Sequence, residues 1–425
     1  MTDTTQQTET GGPLLDLEGR PLKKSLASAL RAQKIRAFLL VAPLLVFILF
    51  SFILPIADML FRSVQNEIVG NTVPATVVAL RDWDPDTGEP PSEEVFAAFH
   101  DDMLIAVDAK IHTRLGSRLN YENPGISSLF RKSGRRVENM DPNESYRDQF
   151  LDIDEDWGDV EVWRTIKNYS GPYTAGYFLS AMDMQITADG PAMKPENQQI
   201  YLKLFVRTFI LSITITMTCF LLGYPIAWLL ANLPMRSSNL ILILVLLPFW
   251  TSLLVRTASW KILLQQQGVI NDLLVWVGLI SDAGRLVMIN NATGTVIAMT
   301  HILLPFMILP LYSVMKTIPP SYLRAAKSMG ANDWTAFWRV YFPQTVPGVG
   351  AGAILVFILA IGYYITPELV GGTSGIFISN RIAYHISTSL NWGLAAALAT
   401  MLLVVVMALY WLYDRIVGID NVKLG

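Results

Sequence analysis

The chain is 425 residues long, 52% hydrophobic and only 16% charged, with 32 Lys+Arg against 35 Asp+Glu and a formal net charge of −3. Soluble domains carry about 25% charged residues, so part of this chain is not solvated by water, and intrinsic disorder, which needs charge-rich and apolar-poor sequence, is excluded. The near-neutral balance excludes a globally basic nucleic-acid binder, and a single cysteine, Cys219, excludes an internal disulfide framework or a cysteine zinc cluster.

Residues 1–36 form a polar to basic tail whose first dozen residues carry no core-forming pattern. Leu22 to Ile35 has basic amphipathic spacing, which suits either a helix lying on an anionic membrane surface or a charged flank that anchors the next segment. Residues 37–61 are that segment. The run Phe38 to Phe61 exceeds the roughly 20 apolar residues needed to cross a bilayer, is too long for a signal-peptide core, and is followed by no small-residue cleavage site.

Residues 62–199 change character. They hold 24 acidic and 13 basic side chains, a net of −11, whereas the rest of the chain carries +8. Aromatic residues such as Trp83, Phe96, Trp157 and Trp163, with turns at Asp84-Pro85-Asp86 and Asn123-Pro124-Gly125, predict one small domain, mixed and loop-rich. Glu93 to Leu119 has helical apolar spacing. Asp152 to Glu161 (DIDEDWGDVE) partly echoes a calcium loop, but its glycine and glutamate miss the sixth and twelfth positions, so it reads as a solvated acidic stretch. His100 and His112 have no second ligand pair at metal spacing.

Five further spans are expected at about Phe205 to Ala231, Leu240 to Ser259, Gly294 to Met315, Val346 to Ile365 and Leu394 to Tyr413. Their continuous apolar runs exclude barrel strands, so the fold class is an all-α membrane protein with six transmembrane helices and a large extracytoplasmic mixed insert between helices 1 and 2. Short-loop charges set the orientation. Arg20, Lys23, Lys24, Arg31, Lys34, Arg36, Arg236, Lys316, Arg324, Lys327, Arg339, Arg415 and Lys423 fall on one side, against Arg256, Lys261, Arg285 and Arg381 on the other. This bias puts both termini in the cytoplasm and the acidic insert outside.

No span has a carboxylate near its centre, and His301 is the one deep titratable group. Ion-driven carriers usually hold their ions with such carboxylates, so the energy is expected to come from elsewhere. The chain has no GxxxxGK[ST], HExxH or GxSxG pattern, and no catalytic residues are assigned.

The stretch 317–343 between spans four and five is the informative one. Prolines 319 and 320 with Ser321 suit a helix start, Gly330 suits a left-handed stop, Asn332 or Asp333 can cap a second helix, and Trp334, Phe337, Trp338 and Tyr341 make an apolar stripe. The spacing Ala325-Ala326-x3-Gly330-x9-Val340-x-Phe342-Pro343 resembles the EAA loop of binding-protein-dependent ABC importer permeases. Leu222-Gly223-Tyr224-Pro225, Leu247-Pro248-Phe249-Trp250-Thr251-Ser252 with Arg256, Ile365-Thr366-Pro367-Glu368-Leu369-Val370-Gly371-Gly372 and Asn391-Trp392-Gly393 are similar to the spermidine/putrescine (PotB-like) permeases.

The resemblance implies a type I ABC importer permease fold, with residues 200–425 as a five-helix core. It implies a multi-pass subunit of the bacterial inner membrane that is not itself an enzyme and binds no cofactor. ATP would sit on separate ATP-binding subunits docked on the cytoplasmic loop, where Arg324, Ala325, Ala326, Gly330, Asp333 and Pro343 are the coupling residues. Further partners are a second permease subunit, giving a heterodimer, an extracytoplasmic solute-binding protein, and membrane lipid. The implied cargo is a polyamine-like organic cation moved by alternating access, with Tyr224, Trp250, Thr251, Tyr363, Tyr364 and Glu368 along the pathway, where aromatics can hold a cation.

Two departures stand out. Arg324 replaces the family's Glu and should oppose the helix dipole by about 0.3–1 kcal/mol. The insert at 62–199 has no counterpart in the resemblance and is expected to face the binding protein, so that deleting 75–190 leaves membrane insertion intact but weakens transport. The alternatives are a membrane receptor or scaffold using its external domain, and a stand-alone secondary transporter.

Overall fold

The computed structural model describes residues 22–187 and 190–417. The polar first dozen residues, Arg20 and Lys423 lie outside the described residues. The described chain divides into two units at Phe61 and Arg62.

In the first unit one helix, Leu22–Ile48, runs without a break into a π-helical turn, Leu49–Ile53, and then Leu54–Arg62. The basic segment thus continues directly into span one, as a charged flank does. The window of this span that best fits a bilayer has none of its residues buried, with Leu40 at 83% exposure.

In the second unit the spanning helices are Tyr201–Asn232, Ala292–Thr317, Asp333–Gly362 and Trp392–Arg415. Span three differs from the continuous helix expected. It is a pair, Met235–Trp250 and Leu253–Leu263, bent by 97°. The cause is local. Pro248 lacks the N–H a helix needs, so a 3₁₀ turn forms at Leu247–Trp250, Thr251 is extended, and Ser252 restarts the helix by accepting from the Val255 N–H at 3.2 Å.

Spans two, four and five make the bundle core, through Ile215, Cys219, Met299, Leu303, Met307, Leu311 and Val356. Spans two and four run parallel: the Cys219 thiol faces the Thr300 carbonyl, and Lys316 reaches the Ala231 carbonyl at 3.4 Å. Span five runs antiparallel to both, since Tyr224 meets Thr345 while Phe209 meets Phe357. It packs closely because Gly352 lies where a Cβ would fall 2.7 Å from Met307 Sδ. The loop 317–343 therefore lies at one end of the bundle, and the starts of spans two, four and six lie at the other.

Residues 62–187 pack at that other end. The mixed character expected for them reduces to one hairpin, Met184–Thr187 with Gly190–Met193. The rest is short helices around an aromatic core: Phe96, Phe99, Phe130, Phe150, Trp157 and Trp163 touch edge to face or tilted, as in Phe96–Trp163 at 4.7 Å and Phe99–Trp157 at 4.8 Å. The buried indoles are satisfied, Trp157 Nε1 donating to Ser133 Oγ at 2.9 Å and Trp163 Nε1 to the Trp157 carbonyl at 2.8 Å. The helical spacing of 93–119 resolves into Glu93–Asp108 and His112–Leu119, parted where Lys110 turns left-handed. The acidic stretch has structural partners. Asp154 pairs with Lys132, which holds its carboxyl below the usual range, and Asp159 caps Val160–Asn168 by accepting from the Glu161 N–H at 2.9 Å.

Buried polar groups join this domain to the bundle. Asp183 is fully buried and accepts from the Ile200, Tyr201 and Leu202 N–H groups at 3.0, 3.1 and 2.8 Å, which caps span two from outside its own helix. Inside the domain, next to this junction, Glu122 accepts from Arg118 at 2.7 Å, from the Tyr169 hydroxyl at 2.9 Å and from Ser180, and Lys194 donates to the Tyr121 carbonyl at 2.8 Å. Burial, with Glu122 beside it, pushes the Tyr169 hydroxyl up, while burial pulls Lys194 down. His385, 2% exposed, lies 3.0 Å from the Tyr201 hydroxyl and 2.8 Å from Ser389 Oγ, and Tyr121 packs edge-on against its ring.

Candidate functional site

The loop end builds its surface from two short helices. Pro319 and Pro320 start the first, Pro320–Ser328, with Pro320 in its first turn. Ser321 lies inside this helix and makes no cap, contrary to expectation, because the prolines set the start two residues earlier, with Pro319 at the cap position. Arg324 is consequently the fifth helical residue. It is exposed and beyond the first turn, where the dipole penalty expected for it has mostly faded.

The helix stops in a Schellman motif: the Ala331 N–H bonds the Ala326 carbonyl at 3.1 Å, and the Gly330 N–H bonds the Lys327 carbonyl at 2.9 Å. Gly330 has φ 91°, which a side chain would strain. Asn332 then caps the second helix by accepting from the Thr335 N–H at 2.7 Å, and Asp333 in its first turn pairs with Lys327 across the break.

The second helix passes into a π-helical turn, Phe337–Tyr341, before Phe342–Gly362, with Pro343 in that helix's first turn. Phe337 and Phe342 seat this segment on Tyr224 of span two, at 6.1 and 5.8 Å between ring centroids. The alanine pair is split: Ala326 is 4% exposed and packs inward, while Ala325 faces out. With Ala325 the exposed surface includes Tyr322 at 51%, Met329 at 83% and Trp334 at 71%. The loop thus forms a knob of small and apolar groups, packed on the bundle at its base and exposed at its tip.

The residues expected along the pathway fall into three places. Tyr224 is at the loop end, its hydroxyl 3.1 Å from Thr345 Oγ1. Trp250, 79% exposed, and Thr251 lie at the bend of span three, where Thr251 Oγ1 donates to the Pro248 carbonyl at 2.9 Å. Tyr363, Tyr364 and Glu368 stand together at the far end of span five. Asn380 organises them: its Nδ2 donates to the Tyr364 carbonyl at 2.9 Å and to Glu368 Oε2 at 2.7 Å, and Ser379 Oγ donates to the Tyr363 carbonyl at 2.6 Å.

The second half of span three leans on this group, with Thr257 Oγ1 3.0 Å from Thr366 Oγ1. Trp260 Nε1 donates to His301 Nδ1 at 3.0 Å, so His301 acts here as a neutral acceptor. Asn380, 5% exposed, was not legible in sequence, where it is one more amide in a short apolar helix.

Residues 204–418 match the family described as "Binding-protein-dependent transport system inner membrane component". The spermidine/putrescine transport system permease protein PotB of Escherichia coli K12 is 34% identical over 222 residues, covering 52% of this chain and 80% of that protein. The inner membrane ABC transporter permease protein YdcU of the same organism is 30% identical over 262 residues, covering 59% and 82%. Among solved structures, a chain in the crystal structure of a bacterial alginate ABC transporter in complex with alginate pentasaccharide-bound periplasmic protein matches with a TM-score of 0.44 at 17% identity, covering 53% of this chain and 80% of that one.

Proposed function

The chain belongs to the family of binding-protein-dependent transport system inner membrane components, and from that premise we propose that it moves a polyamine-like organic cation inward as the permease subunit of an ATP-driven importer. ATP would be held and hydrolysed by partner subunits seated on the knob at 317–343, and a second permease subunit would complete the pathway. A binding protein would deliver the solute at the opposite end, which makes the domain at 62–199 extracytoplasmic and puts both termini in the cytoplasm.

The observation that carries the reading is the knob itself. Its base is fixed to spans two and five through Tyr224, Thr345, Phe337 and Phe342, so a force on its tip is passed to the bundle. The positive charges of Lys316, Arg324, Lys327 and Arg339 at this end support its cytoplasmic placement. For the cargo, identity to spermidine/putrescine permeases supports a cation. So does the exposed Glu368 carboxylate, which makes no ion pair among the described residues and stands beside Tyr364 at 46% exposure.

Coupling is tested by replacing Gly330 with Leu in the reconstituted complex. Solute-stimulated ATP hydrolysis should fall about tenfold while assembly persists, and unchanged stimulation would refute the coupling role. Cargo is tested by titrating spermidine and putrescine into the cognate binding protein, where absence of binding moves the cargo to another class.

A further inference from the structure

A cleft of about 690 Å³ opens where the 62–199 domain meets the start of span six, away from every residue assigned to coupling or pathway. Its volume is within the range of small-molecule sites. One wall is the helix His112–Leu119, which presents Arg114, Ser117 and Arg118; the floor is Asn391, Trp392 and Gly393 at the beginning of span six. The residues around it include three arginines against one carboxylate, Glu67, within a domain whose net charge is −11.

Two buried donors at this cleft lack partners. Arg118 is 4% exposed, and of its five N–H bonds the structure uses Nη1 toward Glu122 at 2.7 Å and stacks the guanidinium 4.2 Å from the Tyr177 ring centroid. Its Nε and Nη2 are left without a hydrogen-bond partner. Asn391 is 9% exposed; its Oδ1 accepts from the Leu394 N–H at 3.2 Å and so caps span six, and its Nδ2 has no partner. Orphaned buried donors are costly, so these three nitrogens at one cleft call for an acceptor. The N-terminus of a 26-residue helix, Trp392–Val417, adds its partial positive charge at the same place. Arg114 is exposed and makes no ion pair among the described residues.

We propose that this cleft is an oxyanion-binding site, taking a carboxylate or phosphate group between Arg114, Arg118, the Asn391 amide and the start of span six. The chemistry is opposite to that of the cationic cargo, so the cleft is an accessory site and not part of the translocation path. The oxyanion is either a free small anion or an acidic side chain of the docked binding protein; the second source rests on the importer reading, whereas direct titration of an anion does not.

The test is calorimetry on the intact complex in nanodiscs with citrate and with phosphate. Arg114→Gln removes an exposed charge, and Asn391→Asp keeps the cap on span six while replacing the unpartnered donor with an acceptor. Saturable binding weakened at least tenfold in both variants, at unchanged melting temperature, assigns the site to a free anion. Where citrate binds too weakly to saturate in calorimetry, excess citrate raising the Kd of the binding protein for the wild type, but not for either variant, assigns the site to a partner's carboxylate. Binding that is unchanged in both variants, or neither binding nor competition, overturns the proposal.

Discussion

The two ends of the same bundle are finished in opposite ways. At the end that meets the 62–199 domain, charged and polar groups are buried and paired: Asp183 holds three backbone N–H groups, Glu122 three side chains, and His385 two hydroxyls. At the loop end, apolar groups are exposed and the tip carries Met329 at 83% and Trp334 at 71% exposure. Buried polar groups paired in this way fix one geometry, whereas exposed apolar surface is free to meet a partner. One end is a joint within the chain and the other, on the proposed function, an open surface for docking.

The largest effect is expected at the joint. Asp183→Ala leaves three N–H groups at the head of span two without their acceptor and should destabilise the domain–bundle contact by about 3 kcal/mol or more. Thermal melting and limited proteolysis between the domain and span two would report it. The same logic revises the expected result of deleting 75–190, since that deletion removes the cap on span two as well as the domain.

The next largest effect is on pH. Burial, with Arg381 nearby, pushes the His385 imidazole from 6.5 down to about 4. Both folded and unfolded states are neutral above about pH 6.5, so the joint is at full strength there. As pH falls from 6.5 to about 4 the unfolded chain takes a proton that the folded site refuses, and about 3 kcal/mol is lost across that window. Tyr201, Tyr121, Tyr384, Ser389 and Arg381 surround the ring. Melting temperatures at pH 7.5 and 4.5 should differ more in the wild type than in His385→Gln.

Between the two ends lies the bend of span three. Ser252→Ala removes one capping bond and should cost about 1 kcal/mol, read as a lower melting temperature without loss of the 62–199 domain's protease resistance. The smallest effect belongs to Arg324→Glu. Since the residue is past the first helical turn, stability should shift by less than about 0.5 kcal/mol, and any change in ATPase coupling then reports a charge on the partner.

Much of this was legible in sequence for physical reasons. Six apolar runs give six candidate crossings, because hydropathy is a local property. The Gly330 stop and the Asn332 cap were also legible, because caps depend on neighbours in the chain. The bend in span three was half-legible: Pro248 and Ser252 are its cause, but the apolar run around them reads as continuous. What stayed hidden depends on distant partners. Asp183 becomes a cap only when a hairpin brings it to residues 200–202, and Asn380 becomes an organiser only when it meets Tyr364 and Glu368. Tyr224 looked like a pathway aromatic, and its seat beneath the loop appears only once spans two and five cross.

The contrast between a closed and an open end is tested most directly at Met329. Cys219, the chain's single cysteine, is fully buried, so Met329→Cys supplies one exposed thiol at the tip of the knob. On the proposed function, a thiol-directed cross-linker should join this position to the ATP-binding subunit, in a yield that changes when ATP is added. A complex that hydrolyses ATP in response to solute, yet leaves this thiol freely accessible and never cross-linked in any nucleotide state, would contradict it.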